Sequence, residues 1–147
     1  MTTISTNKRA SFDYTLMDRY EAGLVLSGSE VKSVKTGHAS LKGSFVTVKG
    51  SELFLTNALI PRYQHAHRDT RHDDSRSRKL LLRGREVRSL IGKSRVLGLT
   101  LIPIRLYTKG QLVKLEFAVG KGKKAFDKRE SIKKRDDSRS MSRMLKS

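Results

Sequence analysis

The chain has 147 residues, room for one domain of about 100–120 residues and a tail. Hydrophobic residues make up 36%, with no tryptophan and nine phenylalanines and tyrosines together, so one modest core of Leu, Val and Ile is expected. Thirty-two lysines and arginines against fourteen acidic residues leave +18, which points to a polyanionic partner, and zero cysteines exclude a disulfide framework, a thiolate metal site and a cysteine nucleophile.

Residues 1–6 are polar and featureless and are expected to be a flexible lead-in. From Phe12 to Leu26 the chain reads as extended, with Tyr14, Leu16, Tyr20, Ala22, Leu24 and Leu26 on alternate positions and an interruption at Asp18-Arg19. Ser27-Gly28-Ser29-Glu30 has capping-box spacing, and Val31, Val34 and then Gly37 complete a short helix of about 8–10 residues. Ser44 to Lys49 and Glu52 to Ile60 predict a hairpin around Gly50-Ser51, ended by Pro61.

Residues 62–79 hold Arg62, Arg68, Arg71, Arg76, Arg78 and Lys79, three of the four histidines, and no aliphatic side chain larger than Ala66. Such a stretch reads as a long functional loop. Leu80-Leu81-Leu82 is a short apolar run, and Val87, Leu90 and Ile91 predict a helix over 84–96. Leu99 to Tyr107 and Leu112 to Val119 form a second hairpin, with Val113, Leu115, Phe117 and Val119 inward and Lys114 and Glu116 outward. Pro103 requires an edge position or a bulge. Beyond Gly120 the pattern dissolves into a charged tail with too few apolar residues to fold alone, though 129–147 can form a helix when bound.

Five or six short strands with two helices give a mainly β protein with flanking helices. An antiparallel β-barrel of the oligonucleotide-binding (OB) type fits, and periodicity permits other small barrels. The division expected is a flexible 1–6, an RNA-binding barrel over 7–120 and a basic tail over 121–147. Charge follows both parts: residues 1–120 carry 21 basic and 10 acidic groups, and the tail carries 11 and 4.

No catalytic constellation is present. No elbow of the G-x-S-x-G kind frames a serine, and Gly120-Lys121-Gly122 lacks the rest of a phosphate-binding loop. His65, His67 and His72 with Asp69, Asp73 and Asp74 could hold a metal, but the surrounding arginines oppose a cation, and no metal or cofactor is expected. No run approaches the about 18 apolar residues of a membrane span, and Met1 to Ala10 lack a signal-peptide core. A cytoplasmic RNA-binding monomer with no membrane partner is the expectation.

Seven ordered stretches resemble the small protein B family, the SsrA-binding proteins: Asn7-Lys8-Arg9-Ala10, Tyr20 to Leu24, Gly28 to Ser33, and Leu41 to Ser44 after Gly37-His38-Ala39. Arg78 to Leu82, Gly98-Leu99-Thr100 with Leu106-Tyr107, and Gly120 to Lys124 with Asp127-Lys128-Arg129 complete the set. The resemblance implies an OB-type barrel that binds the tRNA-like domain of transfer-messenger RNA. It also implies a tail that enters the decoding region (16S rRNA) and the empty mRNA channel of a stalled ribosome. A structural ribosomal protein is the alternative.

Carried over residue by residue, the resemblance assigns RNA contacts to Asn7, Glu21, Leu81 and Lys114, with Lys8, Arg9, Arg78 and Lys79 as electrostatic contributors. Leu80 and Leu82 are expected in the core. Gly120, Lys121, Lys123, Lys124, Phe126, Asp127, Lys128, Arg129, Met144 and Leu145 are assigned to the ribosome-binding tail. Phe126 stands where the family often has His or Tyr, and Asp73-Asp74-Ser75 replaces the family's common Asp-Pro.

Overall fold

Apolar residues at every second position commit a segment to a sheet with one buried face, as in the run 113–119. The computed structural model describes residues 1–63 and 72–123. In chain order it contains β1 (Thr2–Thr6), α1 (Ala10–Asp13), β2 (Tyr14–Leu24), α2 (Gly28–Lys35) and β3 (Phe45–Lys49). There follow β4 (Glu52–Thr56), β5 (Arg78–Leu81), α3 (Gly84–Ser94), β6 (Leu99–Lys109) and β7 (Leu112–Gly122).

The strands form one seven-stranded antiparallel sheet in the order β1-β6-β7-β2-β5-β4-β3. Val113, Leu115, Phe117 and Val119 are buried, and with Leu53, Leu55, Leu80, Leu101 and Leu106 they build the core. Val34 of α2 and Leu90 of α3 plug into it and are fully buried. The fold is thus mainly β with a few helices, as expected, but with seven strands and three helices among the described residues.

The sheet does not close: no hydrogen-bond ladder joins its two edges among the described residues, so the architecture observed is the coarser one, mainly β with flanking helices. The edge strand β3 comes up against β6 without a hydrogen-bond ladder, and the Leu41 N–H donates to Ser5 Oγ at 3.0 Å across the seam. A cavity of about 890 Å³ lies between these edges, lined in part by Asn7, Arg9, Tyr14, Lys42, Phe45 and Ile102.

Several boundaries move, among them the end of β4, at Thr56 rather than Ile60. Residues 2–6 are not a free lead-in: they form β1, paired with Arg105 to Thr108. Lys121 and Gly122 read as tail, yet together with Gly120 they pair with Tyr14, Thr15 and Leu16 as the end of β7. Gly120 packs closely there: a Cβ would lie 3.1 Å from Ile102 Cγ1 and 3.2 Å from Tyr14 Cβ, so both neighbours would have to give by a few tenths of an ångström. The extended segment expected from Phe12 begins at Tyr14, after the single turn of α1.

Both irregularities expected in the strands are present. The register of β2 against β7 shifts between Leu16 and Arg19. Pro103 lies within β6, an interior strand, and the ladder to β7 shifts between Pro103 and Arg105, so the bulge and not an edge position accommodates it.

Helix α2 opens with the capping box read from the sequence: Glu30 N–H donates to Ser27 Oγ at 3.2 Å and Ser27 N–H to Glu30 Oε1 at 3.0 Å. The Glu30 carboxylate does more than cap. Arg78 Nε and Nη2 donate to Glu30 Oε2 at 2.8 and 2.6 Å, and Arg76 Nη2 pairs with Glu30 Oε1. Arg78 also donates to the carbonyls of Ala58 at 2.6 Å and Asp74 at 2.9 Å. Both Glu30 and Arg78 are 0% exposed. Arg78, expected to face RNA, is therefore a structural bolt joining α2, β5 and the 58–60 segment.

Candidate nucleic-acid interface

Register decides which side chains share the outer face of the sheet. Arg105, Glu116 and Glu21 are cross-strand partners on β6, β7 and β2. One row along, Tyr107, Lys114, Gly23 and Leu81 line up across β6, β7, β2 and β5. Alternation along each strand places both rows on one side, opposite the core. Glu21, Lys114 and Leu81, far apart in sequence, thus meet on one surface.

That surface is a charged lattice over an aromatic ring. Lys114 Nζ lies 3.7 Å from Glu21 Oε1. Glu116 accepts from Arg19 Nη1 at 2.9 Å and from Arg105 Nε at 3.0 Å. The Arg105 guanidinium sits 4.4 Å from the centroid of the Tyr107 ring. The Tyr107 hydroxyl donates to the Glu21 carboxylate, and chiefly this bond, with Lys114 and Lys109 nearby, holds the Glu21 carboxyl below its usual 4.5. Burial, with Glu21 beside it, pushes the Tyr107 phenol up to about 12, so it stays a donor. At neutral pH Glu21 is a fixed, oriented acceptor, able to take donors from a base or ribose.

The remaining expected residues fall elsewhere. Asn7 spends its donors on the β6 bulge: its backbone N–H reaches Ile104 O at 2.7 Å and Nδ2 reaches Pro103 O at 2.9 Å. Lys8 is exposed. Arg9 lies 4.7 Å over the Phe12 ring and pairs with Asp13 at 3.2 Å. Asn7, Lys8 and Arg9 line the seam cavity, apart from the Glu21 row. Lys79 is partly exposed and pairs with Glu52 at 3.1 Å. Gly120 and Lys121 belong to β7, and Lys123 N–H donates to Asp13 O at 2.9 Å. Lys124, Phe126, Asp127, Lys128, Arg129, Met144 and Leu145 lie outside the described residues.

Of the histidine and aspartate set weighed for a metal, His65, His67 and Asp69 also lie outside them. His72 Nε2 lies 3.1 Å from both Ile60 O and Asp74 Oδ1. Among the described residues no group of three metal-ligating side chains converges, and no helix is long and apolar enough to cross a membrane.

Sequence reasoning missed Arg105 and Arg19 as members of the surface, and Tyr107, only 1% exposed, as the buried ring beneath it. The signal was partial: Arg105 and Tyr107 flank the core residue Leu106, but Leu101, at the same spacing parity, also faces the core because the register shifts between Pro103 and Arg105. What was missing was the register that sets them beside Glu116 and Glu21. Tyr107→Phe removes only the donor, and the Glu21 carboxyl should then titrate closer to 4.5. Carboxyl ¹³C chemical shifts followed against pH read this directly, and an unmoved Glu21 would refute the bond's role.

A family model described as SmpB protein matches residues 4–147. The SsrA-binding protein of Trichodesmium erythraeum (strain IMS101) is 46% identical over 143 residues, 97% of this chain and 92% of that protein. The SsrA-binding protein of Thermosipho africanus (strain TCF52B) is 46% identical over 147 residues, 99% of this chain and 98% of that protein. A chain in a solved structure of tmRNA-SmpB in the bacterial ribosome superposes with a TM-score of 0.66 at 40% identity. It covers 82% of this chain and 84% of its own length.

Proposed function

The chain belongs to the SmpB protein family, and from that premise we propose that it binds transfer-messenger RNA through its tRNA-like domain. It delivers that RNA to stalled ribosomes for trans-translation. The protein itself catalyses no reaction: it is a cytoplasmic RNA-binding adaptor that positions an aminoacylated RNA for the ribosome's own chemistry. The observation that carries this reading is the outer face on which Glu21, Lys114 and Leu81 converge from two adjacent rows. An acceptor held ionised, an ammonium and an exposed leucine together suit a ribose or base edge, a phosphate and an unstacked base.

In this reading the curled seven-stranded sheet acts as an OB-type barrel whose seam is closed by side chains. Lys8 and Arg9 add phosphate contacts at the seam, and Lys79 adds one beside Leu81. Asn7 keeps its Oδ1 for a nucleotide donor while its Nδ2 remains on Pro103. Residues 124–147 serve the decoding region and the mRNA channel, with Phe126 stacking on a ribosomal base.

The test is equilibrium binding to the isolated tRNA-like domain against random duplex RNA of equal length at physiological ionic strength. Preference for the tRNA-like domain is expected, with affinity falling steeply with salt, since each neutralised phosphate adds about 0.7–0.9 to the log–log slope. A flat salt response, or no preference, would defeat the reading. A permanent ribosomal component would instead be recovered from cells with stoichiometric rRNA in all particles.

A further inference from the structure

Helix α3 starts three residues beyond Leu81, and its apolar side is already spent: Leu90 is fully buried in the core, with Ile91 packed against that core. Lys93 fixes the roll of the helix by donating to Asp18 Oδ2 at 3.0 Å and to the Tyr20 hydroxyl at 2.7 Å. Turned outward are Arg85, Arg88, Ser89 and Gly92, with Arg95 at the C-cap and Arg83 at the N-cap, all exposed. Five arginines elsewhere, Arg9, Arg19, Arg76, Arg78 and Arg105, each pair with a carboxylate. The guanidinium groups of Arg83, Arg85, Arg88 and Arg95 make no hydrogen bond or ion pair with any described residue. Glu86, the one acidic residue of α3, is half-buried and pairs with none of them.

The fold gains nothing from this placement. Arg83 and Arg85 stand at the N-terminal end of α3, where the helix dipole disfavours cations, and Arg85 and Arg88 are like charges three residues apart on one face. Arg88 Nη1 lies 3.3 Å from where a Cβ on Gly84 would be, so a third guanidinium folds back over the same turn. From Arg85 to Arg95 the helix rises about 15 Å at 1.5 Å per residue, and every charge along that face has one sign. Gly92 leaves a gap in the row, with nothing within 4 Å of where its Cβ would be. An anion laid along this face relieves the repulsion.

The chemistry of the face selects among anions. A helix on an acidic membrane must sink an apolar face into it, and that of α3 is turned into the core. A single RNA strand is gripped by stacking on aromatic rings, and the outward face of α3 carries none. A duplex presents phosphates in fixed rows, one about every 1.7 Å of axis, and is recognised by shape and backbone. We propose that α3 is a second RNA surface, lying along a base-paired stem of the RNA held on the outer face. Arg85, Arg88 and Arg95 meet its phosphates, and Gly92 lets its backbone close in. The stem belongs to that same RNA, because the outer row ends at Leu81 and the chain runs from there through exposed Arg83 into α3. This rests on the functional reading and adds to it a grip indifferent to sequence.

Replacing Arg85, Arg88 and Arg95 together by Gln removes three charges from exposed positions and keeps good helix formers there. The melting temperature should stay level or rise, since a self-repelling set is gone. Binding of this triple variant to whole transfer-messenger RNA should weaken about tenfold, with a log–log salt slope smaller by about 2–3. A second measurement needs no charge change. The chain has no cysteine, so Ser89→Cys, one turn from Arg85, takes iron–EDTA as a single tether.

Hydroxyl radicals released from that tether in the complex with whole transfer-messenger RNA should cut both strands of one paired segment. An unchanged affinity and salt slope in the triple variant would overturn the stem contact, as would cuts confined to unpaired nucleotides or seen only in ribosomal RNA. Cosedimentation with phosphatidylglycerol vesicles that the triple variant loses, while its RNA binding is unchanged, would give the face to lipid and overturn the proposal. In each of those cases a preference for the tRNA-like domain leaves the functional reading standing. If the unsubstituted chain shows no preference for the tRNA-like domain over random duplex, that reading fails and takes the stem contact with it.

Discussion

Arg78→Ala should cost about 3–5 kcal/mol of folding stability, the range for leaving one member of a buried ion pair alone. The substitution strands the Glu30 carboxylate, fully buried, with only Arg76 and the Ser27 N–H to satisfy it. It also unties the carbonyls of Ala58, Ile60 and Asp74. Lys cannot substitute, because a single ammonium cannot reproduce the fork that meets Glu30 Oε2 and three carbonyls together. Arg78→Lys should therefore lie near Arg78→Ala. Lys79→Ala, one residue on, should stay within about 0.5 kcal/mol, since its pair with Glu52 is exposed. Urea unfolding followed by far-ultraviolet circular dichroism separates the two. Equal midpoints for the Arg78 and Lys79 variants would show that the buried network is dispensable.

The same cluster fixes an acid limit. Burial works to raise the Glu30 carboxyl, but the Ser27 N–H, Arg76 and Arg78 outweigh it and hold it below its usual 4.5. A carboxyl whose folded value is depressed contributes stability that is fully present above the unfolded value and is lost as pH falls through the folded one. Stability should therefore decline from about pH 4.5 downward through this group, and in Glu30→Gln that part of the decline should be absent.

Removing residues 124–147 should abolish ribosome rescue while leaving binding to the tRNA-like domain essentially intact. The described domain contains every strand of the sheet and the whole outer row, so its RNA surface does not depend on the tail. The position of the cut matters. A chain ending at Gly120 loses the last two residues of β7, their pairing with Tyr14 and Thr15, and the Lys123–Asp13 hydrogen bond that follows. It should be less stable than a chain ending at Lys123, and any loss of RNA binding in it reports the damaged sheet. Rescue measured by release of peptide from ribosomes stalled on a messenger without a stop codon, alongside RNA binding, makes the comparison. Rescue by the chain ending at Lys123 would refute the assignment of the tail to the ribosome.

Local features were readable where local physics decides them. The capping box at Ser27 and Glu30 is a four-residue pattern with a mechanism of its own, and it is present in full. The alternation in 113–119 placed four side chains in the core because a strand has only two faces. Gly37, with φ of 84°, stands where the end of α2 needs a left-handed residue. Leu80, 3% exposed, and Leu81, 52% exposed, were told apart only by the family resemblance, since the run 80–82 fits a strand or a helix entry equally.

Other features were hidden because they depend on partners distant in the chain. Residues 2–6 have no apolar pattern, and their strand exists because β6 offers an edge to pair with. The tail was placed two residues too early, since Lys121 and Gly122 look like linker until β2 pairs with them.

What the sequence determines by itself is a strongly basic, mainly β chain with an ordered set of family motifs, since charge, period and spacing are properties of the chain alone. Which arginine meets RNA and which is bolted to a glutamate was decided only on folding. Arg78 and Lys79 are neighbours of like charge, yet a strand sends consecutive side chains to opposite faces, and Glu30, 48 residues away, waits on one of them. The same rule, acting across β5, β2, β7 and β6, gathers Leu81, Gly23, Lys114 and Tyr107 into one row. Strand register is set by long-range pairing, and no stretch of the sequence states it.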